Sequence, residues 1–246
     1  QLASFGDIKL TSIRGFGEGF VAKYDAAGKE VWVTKIGGTG KKIVVDEAGY
    51  IYVTGYFIGT TTFGTTTFNG TGANNFFLLK LNPNGELLWV TTEGSSHGRD
   101  LGIDRAGNIY VVGAFYDTKI SFEDFSFSSQ SSDIFIVKYS SDGKVIWARK
   151  VGGKGSDYGY GIAVDDNGNS FVTCRFQGTV YFGSSSFSNI YGDDDYGLLI
   201  AKYNTAGILE WVKQTGGVNT HALNIELDHH GNIHLAGYFI QNAYFG

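Results

Sequence analysis

The chain has 246 residues, 42% of them hydrophobic and only 17% charged, with 37 glycines and a single proline. That is enough apolar material for a sizeable core and too much for a disordered chain, and Thr, Val, Ile, Tyr and Phe dominate its apolar runs, which favours strands over helices. A formal net charge of −5 excludes the basic footprint that nucleic-acid binding needs, and no apolar run reaches the length of a membrane span.

The first residues have neither the basic nor the apolar region of a signal peptide. Methionine is absent, position 1 included, so the sequence reads as a processed or excised piece of a longer chain. The single Cys174 rules out an intrachain disulfide. The opening stretch ASFGDIKL sets Phe5 and Leu10 five positions apart. A predicted hairpin follows: FVAKY with Lys23, a turn DAAG ending at Gly28, and a strand carrying Trp32. Next comes a second hairpin, IVVDEAGYIYVTG, whose turn ends at Gly49.

From there the order repeats. An insertion over 58–75 carries Phe63 and Phe68, and FLLKL with Lys80 leads through NPNG (Gly85) to Trp89 and then to LGIDRAGNIYVVG (Gly107). The insertion over 116–133 carries Phe122 and Phe127, and FIVKY with Lys138 leads through SSDG (Gly143) to Trp147 and IAVDDNGNSFVTC (Gly168). The insertion over 177–196 carries Phe182 and Phe187, and LIAKY with Lys202 leads through NTAG (Gly207) to Trp211 and IELDHHGNIHLAG (Gly231). Successive tryptophans stand 57, 58 and 64 residues apart.

Asp or Asn opens most of these turns and can cap a type I turn with its side chain. The closing glycine takes the left-handed conformation that returns the chain to the ladder through a bulge. Each copy is therefore two tight hairpins, four antiparallel strands, and tandem units of this kind predict an all-β fold, the blades of a β-propeller. The copies divide one domain, 1–246, at about 1–57, 58–115, 116–176 and 177–246.

The runs FVAKYDAAGKEVWVTKIGG and IVVDEAGYIYVTGYF, and the third copy FIVKYSSDGKVIWARKVGGKGSDYGYGIAVDDNGNSFVTCRF, resemble the bacterial β-propeller repeat family called SBBP. The resemblance covers nearly the whole chain. It implies the propeller fold and an extracytoplasmic or cell-surface setting, and it says little about activity.

In propeller order, the IVVD-type hairpin supplies inner strands A and B, and the Lys–Trp hairpin supplies outer strands C and D. All the glycine turns then share one face. The other face collects the insertions and the D–A connections at 37–42, 93–100, 152–161 and 216–222. Varied loops on a rigid scaffold are where binding resides, so the candidate ligand residues are His97, Arg99, Asp157, Tyr158 and His221.

The paired aromatics of the insertions are expected to form a short structural hairpin on the blade edge. The tryptophans are expected at equivalent, largely buried positions between blades. The aligned lysines are expected on strand C with wet ammonium groups, and Cys174 as a small buried residue.

Other motifs favour plain readings. GSSHG at 94–98 has the G-x-S-x-G form, but Ser96 lacks the strand–turn–helix elbow. GFGEG at 15–19 and Lys41 after GGTG lack the helix that holds a phosphate and read as connectors. The 165–169 segment lacks the final glutamate of a calcium loop. Asp193, Asp194 and Asp195 read as a solvated loop. His229 and His230 fall in a turn opposite His221, which argues against zinc. The sequence thus implies no cofactor, no metal and no catalytic set. The expected function is a non-enzymatic module for protein contact, adhesion or display, with a protein or a surface glycan as partner. A lectin-like propeller is the alternative, and a hydrolase or lyase a more distant one. The N-terminal C–D hairpin and the C-terminal A–B hairpin are complementary: they close a four-bladed ring or leave an arc of a larger one.

Overall fold

A computed structural model describes residues 2–11, 18–116, 119–240 and 242–244; of the GFGEG segment, 15–17 lie outside the described residues. The chain starts with two hairpins, β1 (Leu2–Phe5) with β2 (Ile8–Thr11) and β3 (Gly19–Tyr24) with β4 (Glu30–Ile36). The first complete unit contains β5 (Thr39–Val45), β6 (Ile51–Phe57), an inserted hairpin β7 (Thr60–Phe63) and β8 (Thr66–Asn69), then β9 (Asn75–Leu81) and β10 (Leu87–Glu93). The second has β11 (Ser96–Ile103), β12 (Ile109–Phe115), the inserted β13 (Ile120–Phe122) and β14 (Phe125–Phe127), then β15 (Asp133–Tyr139) and β16 (Val145–Gly153). The third has β17 (Tyr158–Val164), β18 (Ser170–Gln177), the inserted β19 (Thr179–Phe182) and β20 (Ser185–Ser188), then β21 (Tyr196–Tyr203) and β22 (Leu209–Gly217). A last hairpin, β23 (His221–Leu227) with β24 (Ile233–Tyr238), precedes β25 (Ala243–Tyr244).

Each complete unit is one antiparallel A–B–C–D meander; the first runs β5-β6-β9-β10 across its sheet. The expected turn chemistry is present throughout. Asp25 Oδ1, for example, accepts from the N–H groups of Ala27 and Lys29, and Gly28 has φ +79°. The inserted hairpins are structural arms, as their paired aromatics predict. β19 adds itself to the outer strand β16 of the preceding unit, Val151 opposite Phe182 and Gly153 opposite Val180. Its Phe182 and Phe187 meet edge to face at 5.6 Å. A side chain at Gly153 would strike the Thr179 carbonyl, and one at Gly37 the Thr62 carbonyl, which explains the glycine pairs after the outer strands.

The cores lie between units. Tyr110, Val112, Ile134 and Ile136 of the second pack against Ile162, Val172, Cys174 and Leu199 of the third. Tyr52, Phe76 and Leu78 of the first meet Val111, Phe135 and Val137 of the second. Sheets covered on both faces need near-continuous apolar strands, which accounts for runs such as FIVKY. Cys174 is buried and free.

Tryptophan and lysine form a repeated latch. Trp32, Trp89 and Trp147 each donate Nε1–H to a carbonyl in the next unit's C–D turn: Pro83 O at 3.1 Å, Ser141 O at 3.3 Å and Thr205 O at 3.1 Å. The paired lysines reach the same turns, Lys80 to Ser141 O at 3.1 Å and Lys138 to Thr205 Oγ1 at 3.2 Å. Two expectations need correction here. Lys138 is not wet: it is buried, with Nζ 3.5 Å from Asp104 Oδ2 and 4.8 Å from the Tyr110 ring centre. Trp211 is not buried: it is 38% exposed, because among the described residues no C–D turn meets it as Thr205 meets Trp147.

The ring does not close within the described residues. β24 pairs only with β23, and β3 only with β4.

Candidate functional site

Strands β5, β11, β17 and β23 stand side by side along the inner rim, each packed against the next. In every A–B pair the register slips by one residue near the start: between Gly40 and Lys42, Gly98 and Asp100, Gly159 and Gly161, and Ala222 and Asn224. The extra residues are Lys41, Arg99, Tyr160 and Leu223. A bulge re-aims a side chain out of the regular alternation. Here it turns all four toward one cleft of about 360 Å³, whose wall is completed by Tyr56, Asn74 and His97.

The polar chemistry centres on Arg99. Its Nε–H donates to His97 Nε2 at 2.7 Å, and its guanidinium lies over the Tyr160 ring at 4.4 Å and the Tyr158 ring at 5.6 Å. Since Nε2 accepts, the neutral imidazole carries its proton on Nδ1, which donates to the Tyr116 hydroxyl at 2.9 Å. Tyr116 also stacks on His97, ring centres 5.4 Å apart. Burial, then the charges of Arg99 and Lys41, hold the His97 pKa down at about 3, so the ring is neutral at physiological pH. Lys41 Nζ lies 5.4 Å from the centre of the Tyr56 ring.

The belt continues around the rim. Arg175 lies over Tyr196 at 3.2 Å and faces Tyr158 at 5.9 Å. His221 meets Tyr160 edge-on at 6.2 Å and stacks on Tyr238 at 4.5 Å. Arg175 Nε and His221 Nδ1 are buried without a hydrogen-bond partner.

Of the sequence candidates, the structure brings His97 and Arg99 to the cleft, Tyr158 beside Arg99, and His221 behind Tyr160. All four sit on strands rather than in the connections where the sequence reading puts them. Asp157 is placed elsewhere. It is fully buried, and its carboxylate accepts from Gly153 N at 2.8 Å and Gln177 N at 3.1 Å. Burial raises its pKa to about 7. Its role is to pin the connection into the third unit.

The sequence reading passes over Lys41, Tyr56, Asn74, Tyr160 and Leu223. A signal was there: one column, directly after Gly40, Gly98, Gly159 and Ala222, reads Lys, Arg, Tyr, Leu amid otherwise regular copies. Lys41 is no connector but the bulged residue of β5.

The remaining motifs stay apart from the cleft. Ser96 is buried on β11, its hydroxyl directed to Glu93 O at 3.3 Å. His229 and His230 belong to the turn after β23, at the far end of the strands from His221. Among the described residues no three His, Cys, Asp or Glu side chains gather to hold a metal, and no helix is long and apolar enough to cross a membrane. Two larger grooves, of about 760 and 600 Å³, lie at the outer strand of the second unit and among the glycine turns. Three of their five lining cations are engaged: Lys150 lies 2.7 Å from Asp133, Arg149 donates to Gly207 O, and Lys80 donates to Ser141 O.

The chain is similar to an uncharacterized WD repeat-containing protein of Acanthamoeba polyphaga mimivirus, at 26% identity over 312 aligned positions covering 97% of this chain and 22% of the relative. It therefore spans about a fifth of the length of that relative. The third copy carries the more specific signature: residues 146–173, from the outer strand through the following A–B hairpin, match the family model of SBBP, a beta-propeller repeat.

Proposed function

We propose that the chain is an arc of β-propeller blades that binds a protein partner at the inner-rim cleft and catalyses no reaction, in an extracytoplasmic or cell-surface setting. The observation that carries the binding site is the convergence of four bulged residues. The copies repeat one another in turns, core and latch, yet at the position that points into the cleft they present Lys41, Arg99, Tyr160 and Leu223. Divergence at a position where the copies converge on one cleft fits recognition better than folding, because an aligned core position would keep one type of side chain. The similarity to a WD repeat-containing protein and the beta-propeller repeat match support an interaction module.

Replacing Tyr160 by a photo-crosslinking benzophenone amino acid tests the site in the cells that make the protein. The reading expects protein adducts from position 160 and none from the same probe at Arg105, in the glycine turn at the opposite end of the strands. Adducts from 105 alone, equal adducts from both, or none from either would overturn it. A glycan is the second reading, favoured by the ring of tyrosines at 56, 158, 160 and 196. Selective capture of one glycan class on an array, lost on Tyr160→Ala, would decide for it.

A further inference from the structure

Resting on that reading, we infer that the inner-rim cleft takes the carboxylate side chains of an acidic protein segment, with Arg99 and Lys41 as the charge partners. The chain as a whole is acidic, 24 Asp and Glu against 19 Lys and Arg. Several of its lysines elsewhere are matched with carboxylates: Lys35 with Glu18, Lys42 with Asp100, Lys138 with Asp104, Lys150 with Asp133, Lys202 with Glu210. The rim gathers cations that are not. Among the described residues Lys41, Arg99 and Arg175 have no carboxylate partner, and none of the residues lining the cleft is acidic. Unpaired cations beside one another repel, so a site that keeps them together without a counter-charge is arranged for an incoming anion.

The geometry also fits the planar shape of a carboxylate. Arg99 is held on two sides, its Nε–H by His97 and its face by Tyr160. That fixes the plane of the guanidinium, which the Tyr116 hydroxyl also meets, and an Nη edge of a group so held can form a bidentate pair. His97 serves as a positioning residue: its neutral ring accepts from Arg99 without competing for the anion. Tyr56 supports Lys41 as Tyr160 supports Arg99. Leu223 supplies an apolar wall for the methylenes of a glutamate. A volume of about 360 Å³ admits one or two side chains of a passing segment. Two cations do not make the wide basic track that a nucleic-acid backbone requires.

Fluorescein-labelled octaglutamate, titrated by anisotropy into the full chain at low salt, tests the inference. Octaglutamate is expected to bind and octaglutamine not to. Arg99→Gln should weaken binding by about tenfold or more, the scale of a lost charge-assisted hydrogen bond. Lys41→Gln should weaken it severalfold, and Arg105→Gln should leave it unchanged. Arg99→Lys keeps the charge without the fork and should fall between wild type and Arg99→Gln. Because Lys41 is exposed, its variant reads the site even if an Arg99 variant fails to fold. Equal binding of the two peptides, indifference to Lys41→Gln, or preference for oligogalacturonate over octaglutamate would each overturn the acidic-segment inference. Adducts from position 160 together with no octaglutamate binding would sink this inference while leaving the proposed function standing.

Discussion

The second unit and the two half-units, β3–β4 and β23–β24, are written in the same sequence pattern but differ in how they are buried. Phe135, on the C strand of the second unit, is 0% exposed, whereas Phe20, at the same position of β3, is 51% exposed. Phe135 lies against Gly113, where a side chain would strike its ring; β3 has no B strand beside it. The latch shows the same contrast. Trp147 is 4% exposed, hydrogen-bonded to Thr205 O and stacked over Gly207. Trp211 is 38% exposed, and its partner Lys202 pairs with Glu210 on its own hairpin. Burial here belongs to the interface between neighbours and not to the strand, as in repeat proteins whose stability is a sum of nearest-neighbour interactions.

The largest expected effect breaks this comparison if it fails. Trp147→Ala should cost about 3–5 kcal/mol, the range for truncating a buried aromatic. Trp211→Ala, with no turn to grip, should cost about 1 kcal/mol or less, as surface substitutions do. Urea denaturation of the two variants measures both. Equal losses would mean that the tryptophan stabilises its own hairpin and that the latch contributes nothing.

A second test sharpens the comparison through pH. His97 takes up a proton near pH 6.5 in an unfolded chain but only near 3 in the fold. Between those values the unfolded state binds more protons, so acid favours unfolding. From pH 7 to 5 this costs about 2 kcal/mol. Asp157 acts in the opposite sense: burial raises its pKa to about 7, so the folded state gains protons there and the stability from this group is lost as pH rises. Glu93, which burial also raises to about 7, acts in the same sense, so wild type need not lose stability in acid. The difference between wild type and His97→Gln isolates the histidine: on acidification the variant should gain stability relative to wild type. His221→Gln, on the half-unit, should relieve less, and a greater relief at 221 would contradict the contrast. Thermal melts at pH 7 and pH 5 provide the measurement.

The fold was legible because its determinants are local. A turn that needs αL glycine must show it, and Gly28, Gly49, Gly85, Gly107, Gly143, Gly168, Gly207 and Gly231 do so, all at positive φ. The inserted hairpins announced themselves through paired aromatics. The site was only half legible. His97 and Arg99 stood out as unusual residues, but Lys41, Tyr160 and Leu223 look ordinary in isolation. What unites them is a one-residue slip in each inner strand, and a bulge destroys the very alternation by which strands are read. The slip also hid the strand starts, so the sequence reading put these residues in loops. Asp157 misled for the converse reason: a polar residue in a glycine-rich connection resembles a ligand residue until its carboxylate is seen closing backbone donors. The exposure of Trp211 could not be read at all, since it depends on a neighbour and not on the copy itself.

The smallest expected effect dissects the latch from the side of the turn. Gly28 and Gly207 occupy the same turn position with φ +79° and +70°. An alanine at either must adopt the left-handed conformation, at about 1 kcal/mol. Their surroundings differ. A Cβ at Gly207 would come 2.6 Å from Trp147 Cδ2, whereas at Gly28 nothing lies within 4 Å. Gly28→Ala should therefore show the conformational cost alone, and Gly207→Ala that cost plus the displacement of an indole. Repeating each in a Trp→Ala background separates the two. In Trp147→Ala the excess at Gly207 should vanish, giving a coupling of about 1 kcal/mol. In Trp211→Ala the cost at Gly28 should not change, because in this arc that tryptophan and that turn do not meet. A coupling between Trp211 and Gly28 of the same size would show instead that the two half-units join in solution, as the latch joins every complete pair.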